Sequence, residues 1–493
     1  MANTPVKKIA IFGNGLAGLL CAAKLVKILP NQVELTYVEA TNVSATDIFF
    51  GTVTTPSTYD FLLGLDVSEP DILPATNTNF SLGTQYKDWG PENRAWTQGY
   101  HRPLPAFNGV GFHHYLTRLK SAAPELSELE LYIMSVAAAK AGVFAHPPEG
   151  KNIPLADIEY GYHFIPEEFC ALLSSKLRAI QSLKWLTADI RSSERKGDDI
   201  QSVSLSNGDI LKADFIVDAL GPQSKLAAPK SQTQVSERQL KAVSSVVPTN
   251  KLGGVCRVLT GAEFGWQSET PSQNGTRRLT VFAPESETEA LNAHGNFEQA
   301  PVYAALGGLQ TPWLGNCLIL GHGAAIVEPL TPAPILLLQR DIERLAELIP
   351  VTNQMKVESR EYNRRFTADY EHAALFQSAF FVSETVAETP YLIAASTAKS
   401  DERLSRKIQQ FRSRGVLVQY DYEPFDEKDW TMLHFGMGRY PTRYDPLADH
   451  IPDDQLKNRL TQMRAAIEMM AKKMPPHHIY MTGLLKYLKE KHG

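Results

Sequence analysis

Cysteine is scarce: the 493 residues hold four, Cys21, Cys170, Cys256 and Cys317, far apart and with no CxxC pair. That excludes a disulfide framework and gives no zinc-ligand spacing. A reducing, cytoplasmic setting is expected. An excess of charge of either sign is also missing, the net charge being −5. A nucleic-acid or anionic-membrane partner is therefore not expected. Runs of like charge, low-complexity tracts and internal repeats are lacking too. The most apolar stretch, "IAIFGNGLAGLLCAAKLVKIL", is broken by three glycines, Asn14 and Lys24. No small-residue cleavage site with a polar flank follows it, so it reads as strand, turn and helix rather than a leader. What is present is ordinary globular composition, 43% hydrophobic and 21% charged. The length suits two or three domains or one large mixed unit.

The N-terminal "KKIAIFGNGLAGLLCAAKLVKILPNQVELTYVEA" predicts a buried strand, a glycine turn, a helix stopped at Pro30-Asn31, and a second strand. Residues 41–160 are rich in Pro, Gly, Asn and Thr, with short helices such as "FHHYLTRLKSAA". "EEFCALLSSKLRAI" has helical spacing. In "IQSVSLSNGDILKADFIVDALG", Asn207-Gly208 marks a hairpin. Residues 351–493 read as mostly helical.

The turn Gly13-Asn14-Gly15-Leu16-Ala17-Gly18 carries the first chemistry. Its glycines, with the backbone at Ala17, let the chain turn tightly and approach a pyrophosphate at a helix start. Glu39 ends the next strand, where a carboxylate can accept from a ribose hydroxyl. A dinucleotide is expected, and later segments favour FAD over NAD. "ADFIVDALGPQS" (213–224) and "NCLILGHGAAIVEPL" (316–330) look like flavoprotein strands that end beside the cofactor, the second through the turn at Gly321 and His322. A second GxGxxG in a strand–helix context is absent, so reducing equivalents are expected from elsewhere.

Several further segments, in order along the chain, resemble the flavin-dependent tryptophan halogenases. They are "FFGTVTTPSTYDFLLGLDVSEPDILPATNTNFSLGTQYKDW" (49–89), "GYHFIPEEF", "HFGMGRYPTRYDPLAD" and "MPPHHIYM". The resemblance implies an α/β fold: a Rossmann-like FAD-binding flavoprotein module of halogenase or monooxygenase type, with a mostly helical C-terminal region. The expected division is 1–350 for the FAD module with its substrate-pocket insertions, and 351–493 for helices completing the pocket. The family's chemistry is also implied: reduced FAD forms a hydroperoxide with oxygen, halide bound by backbone N–H groups attacks it, and a lysine with a nearby glutamate delivers hypohalous acid to an aromatic substrate.

This chain departs from that pattern where the chemistry is done. The family lysine falls on Ser81, the glutamate of P-L-E-S-T-G-I on Thr331, and the two halide-binding N–H positions on Ala333 and Pro334. Proline has no N–H to give. The second Trp of W-x-W-x-I-P is Ser268, the glutamate of G-E-x-T-x-P is Thr52, and His322 replaces the acidic or amide residue of the "GD" turn. Lys87 and Lys251 are the conceivable substitutes for the lysine, though their ordinary reading is as surface residues. The resemblance places Gly13, Gly15, Ala17, Gly18, Glu39, Gly321, His322 and Ile335 at FAD. It places His101 (beside Arg102), Trp266 and Thr331 at the substrate. The adjacent pairs His113-His114 and His477-His478 do not converge as i,i+4 ligands do and read as structural.

The expectation is an FAD-dependent oxidoreductase that oxygenates or oxidises an aromatic, indole-like substrate without halogenation, fed by a separate flavin reductase and assembling as a homodimer. The alternatives are a true halogenase with rearranged lysine and halide sites, and a non-catalytic flavin-binding protein.

Overall fold

The computed structural model describes residues 3–492 apart from 43, 90–93, 151–152, 227–232, 250–251, 298, 383–390, 393–394 and 396–400. Strands β1 (Lys8–Gly13), β2 (Glu34–Glu39), β3 (Leu183–Thr187), β4 (Phe215–Ala219), β5 (Trp313–Leu314) and β6 (Cys317–Ile319) form one sheet in the order β5-β6-β4-β1-β2-β3. All pairings are parallel except β5 with β6. "IAIFG" of β1 is buried throughout, as a central parallel strand covered by helices has to be. Helix α1 (Leu16–Ile28) packs between α2 (Pro166–Arg178) and α3 (Ala333–Glu347). The register sets Gly13 beside Glu39 on one side and Ala219 on the other. Three strand ends thus open toward one crevice, the usual place for a ligand in such sheets. The Asn207-Gly208 hairpin forms, joining Asp199–Leu205 to Ile210–Leu211.

A second, eight-stranded sheet lies beside this module. Its order is Ala325–Ile326, Val302–Leu309, Thr233–Pro248, Gly275–Phe282, Gly265–Pro271, Arg257–Ala262, Gly83–Lys87 and Trp96–Gly99. Among its neighbours only Arg257–Ala262 and Gly83–Lys87 run parallel. The region after 351 is mostly helical and includes α4 (Lys356–Ser378) and α5 (Glu427–Gly436). One buried apolar cluster runs from Val6 to Leu488 and takes in Tyr362 and Phe366, so α4 shares a core with the parallel sheet, while Trp430 and Leu433 of α5 pack in a second cluster with the larger sheet. Helix α5 lies on the edge strand Trp96–Gly99, and Trp96 stacks on Tyr86 with ring centroids 4.7 Å apart.

That contact is close enough to test. A methyl group on Gly436 would sit 2.2 Å from the Trp96 ring, which is 1% exposed and has nowhere to go. Gly436→Ala should lower stability by about 1–3 kcal/mol through overpacking, read as a fall in the urea midpoint with unchanged slope.

Candidate active site

At the glycine turn, Gly13 and Gly18 let strand and helix approach until a methyl on either would lie 3.2–3.3 Å from the other's Cα. Helix α1 then begins with Gly15 extended and no side-chain cap of its own. Free N–H groups at such a start suit an anion. The anion found there is Asp47, whose Oδ2 accepts from the Leu16 N–H at 3.2 Å. A methyl on Gly15 would fall 2.2 Å from the same oxygen. Asp47 sits in the short 3₁₀ turn Ala45–Phe50. Burial pushes its carboxyl up to about 7, against the Leu16 hydrogen bond.

The same turn carries Phe50. Its ring stacks on His322 at 3.7 Å and 22°. Gly321 makes room: at φ 66° it lies where a methyl would be 2.7 Å from Ala17 Cβ. Among the described residues neither ring nitrogen of His322 has a hydrogen-bond partner, and burial pulls its pKa down to about 3. A cavity of only about 20 Å³ remains between Phe50, Gly321, His322 and Pro334. That is room for a single water. Glu39 is engaged as well: its Oε2 accepts from Arg178 (2.6 Å), Trp185 (3.2 Å) and Thr187 (3.0 Å). Ile335 is buried beside Leu16 and Leu20 at a separate small cavity. The glycine turn, helix start and Glu39 have the architecture FAD needs. As arranged, though, Asp47 and Phe50 fill the space, and the site does not fit FAD until their turn moves.

The segment "VEPLTPAP" leads into α3. Glu328, 2% exposed, accepts from Trp266 Nε1 (2.6 Å), from Arg238 Nη1 (2.8 Å) and from the Tyr391 hydroxyl. The buried Arg257 guanidinium donates to the carbonyls of Pro329 (3.1 Å) and Leu330 (2.5 Å), and Tyr86 donates to Leu330 as well. Gln377 Nε2 donates to the Glu328 carbonyl and to Thr331 Oγ1. Thr331 Oγ1 also accepts from the Ala333 N–H at 3.3 Å. The one halide-type donor left by Pro334 is therefore already satisfied internally.

Thr331 and Pro332 form part of the floor of a cavity of about 720 Å³. Tyr59, Tyr86, Tyr100, Tyr160, Phe376 and Phe425 supply its aromatic surface. Charged groups ring it: Lys428 pairs with Glu159 at 2.7 Å, and burial pushes the Asp429 carboxyl up to about 7. Arg102 lies at the rim, exposed, its guanidinium without a partner among the described residues. His101 turns away, bonding its Nδ1 to the Arg102 carbonyl at 2.6 Å, and burial lowers its pKa to about 4.

Two sequence expectations change on this geometry. Trp266 is 0% exposed and bonded to Glu328 rather than lining the cavity. His101 likewise leaves the rim to Arg102. Ser81 is fully buried with its hydroxyl unpartnered, so it offers neither charge nor amine. Lys87 is exposed on its strand, and Lys251 lies outside the described residues. His113, His114 and His477 are engaged with backbone at Gly415, Asp445 and Gly253, as structural histidines are. Asp47, Phe50, Glu328 and Arg257 were not foreseen: a carboxylate in an irregular turn and an arginine in a strand leave no local pattern.

The profile of the family described as Tryptophan halogenase matches residues 8–453. Tryptophan 6-halogenase ThaL of Streptomyces albogriseolus is 23% identical over 449 residues, spanning 83% of this chain and 82% of that one. Tryptophan 7-halogenase RebH of Lentzea aerocolonigenes is 20% identical over 545 residues, spanning 99% of both. The solved structure of BrvH, a flavin-dependent halogenase from Brevundimonas sp. BAL3, superposes with a TM-score of 0.89 at 24% identity, covering 97% of this chain and 99% of that one. These likenesses establish the fold: an FAD-type α/β module with a helical C-terminal region.

Glu328 is the test of the buried network. Glu328→Ala removes the buried carboxylate that Arg238 and two further donors share, and should cost about 3–5 kcal/mol. Glu328→Gln keeps the volume and should cost less. Chemical unfolding followed by tryptophan fluorescence measures both, and equal losses would contradict a charge-centred network.

Proposed function

This chain belongs to the tryptophan halogenase family, and on that premise we propose that it is a flavin-dependent oxidoreductase that oxygenates or oxidises an aromatic, indole-like small molecule without halogenating it. Reduced FAD would come from a separate reductase. The observation that carries the non-halogenating reading is the Ala333 N–H spent on Thr331, next to Pro334 which has none. Ser81 supports it, being a neutral buried hydroxyl where the family places its lysine. A hydroxyl cannot form a haloamine.

The substrate side is better preserved. The cavity falls in the size range of ligand pockets and offers aromatic walls with a few convergent polar groups. Tyr and Phe rings suit offset or edge contacts with an indole-like ring. Arg102 at the rim can pair with a carboxylate, and Glu159, Asp426 and Asp429 can receive an ammonium. The chain's own residues thus bind and orient a ligand against the Thr331–Pro332 floor.

Two measurements check this reading. Incubation with a flavin reductase, FAD, NADH, bromide and a panel of indole compounds including free tryptophan should give no brominated product by mass spectrometry. Products gaining oxygen or losing hydrogen support the proposal; a brominated product overturns it. A bromide soak should show no anomalous peak within hydrogen-bonding distance of the Ala333 N–H. Thr331→Ala combined with Pro334→Gly returns two donors, each charge-assisted bond being worth roughly 1.5–3 kcal/mol. Bromide affinity should therefore rise at least tenfold in that variant.

A further inference from the structure

Three facts about the turn Ala45–Phe50 stand together. Asp47 places a carboxylate on the N–H of Leu16, the donor a phosphate oxygen would use. Phe50 lies flat on His322 and leaves only about 20 Å³ beside it. His322 is buried with both nitrogens unpartnered among the described residues, its Nδ1 3.9 Å from Asp47 Oδ1, a polar group facing a filled site and satisfied by nothing in it.

We infer that this turn is a resident occupant of the FAD cradle, an anion and a flat ring supplied by the chain itself, and that FAD binds only by expelling it. Asp47 stands where a pyrophosphate oxygen would stand, and Phe50 covers His322 as a planar ligand would. The N-terminal half of the turn reaches solvent, whereas Phe49 and Phe50 are buried. Ala45 is exposed, the Asp47 side chain is one-fifth exposed (19%), and the turn ends at Gly51 with φ 76°. Apart from Leu16 and His322, the groups facing Asp47 are Glu167 and Cys170 of α2 and Tyr37 of β2. None of these is a cation that would hold the carboxylate in place. The Leu16 N–H and the Phe50–His322 stack hold the turn's cradle side, while Phe49, fully buried in the apolar cluster of the second sheet, anchors its other end. Departure of the turn would uncover the glycine turn and release His322 toward whatever replaces Phe50.

The inference takes FAD as ligand from the oxidoreductase reading, and its test separates the two. Oxidised FAD is titrated into the full-length parent, Asp47→Ala, Phe50→Ala and the double variant by isothermal calorimetry, with near-UV circular dichroism confirming the fold of each. The double variant should bind FAD at least tenfold more tightly than the parent, and Asp47→Ala alone severalfold more tightly. If Phe50→Ala does not fold, the Asp47→Ala comparison decides. Equal affinity in parent and variants overturns the occupant but leaves flavin dependence standing. Binding by none of them overturns both.

Discussion

Glu328 is the charge around which the site is assembled. One carboxylate joins Trp266 and Arg238, from two strands of the second sheet, to Tyr391 of the C-terminal region. A buried carboxylate is tolerable only when its lone pairs are filled, so these partners are held where Glu328 is. Since Glu328 is in the chain one turn before α3, fixing it also fixes the helix start. Arg257 and Tyr86 pin the next two carbonyls from the other side. The floor of the large cavity is therefore rigid because of a charge that never faces the cavity.

That rigidity makes the contrast between two helix starts meaningful. At α3 the donors are accounted for within the chain: Thr331 takes the Ala333 N–H, and Pro334 contributes none. At α1 the donor of Leu16 is taken by Asp47. Both seats have the backbone of an anion site, and at both the anion's part is played by a side chain. The cavity between the aromatic walls has not closed in the same way, and at about 720 Å³ it could take a ligand of drug size. The open cavity and the filled helix starts thus differ within one chain.

How legible this was depended on the range of the interactions. The strand–turn–helix–strand at the N-terminus, the Asn207-Gly208 hairpin and the C-terminal helices follow from local pattern, and they form. The losses at Ser81, Thr331 and Pro334 were readable because ordered motifs surround them. The eight-stranded sheet was not, since its strands span residues 83–326 and its longest carries a bulge between Val235 and Gln239 that breaks the alternation. Trp266 could be placed in a motif, but its partner Glu328 lies 62 residues away. Asp47 and Phe50 gave no signal because a six-residue 3₁₀ turn is too short to show its three-residue period, and what they fill is defined by Leu16 and His322.

The two closed seats differ in kind, and the difference settles what each can still do. Pro334 is a covalent loss: no ligand and no movement of the chain gives a proline nitrogen a proton to donate. Thr331 reinforces it from a position locked by Gln377 and the Glu328 network. Asp47 and Phe50 are conformational losses. They occupy the proposed cradle through one hydrogen bond and one ring stack, on a six-residue turn exposed at Ala45 and anchored by the buried Phe49. A ligand with more to offer the helix start and His322 can displace them, because a population shifts toward whichever state binds better. On the reading proposed above, halide handling is lost in the sequence itself, while access to FAD is a balance between two occupants of one seat.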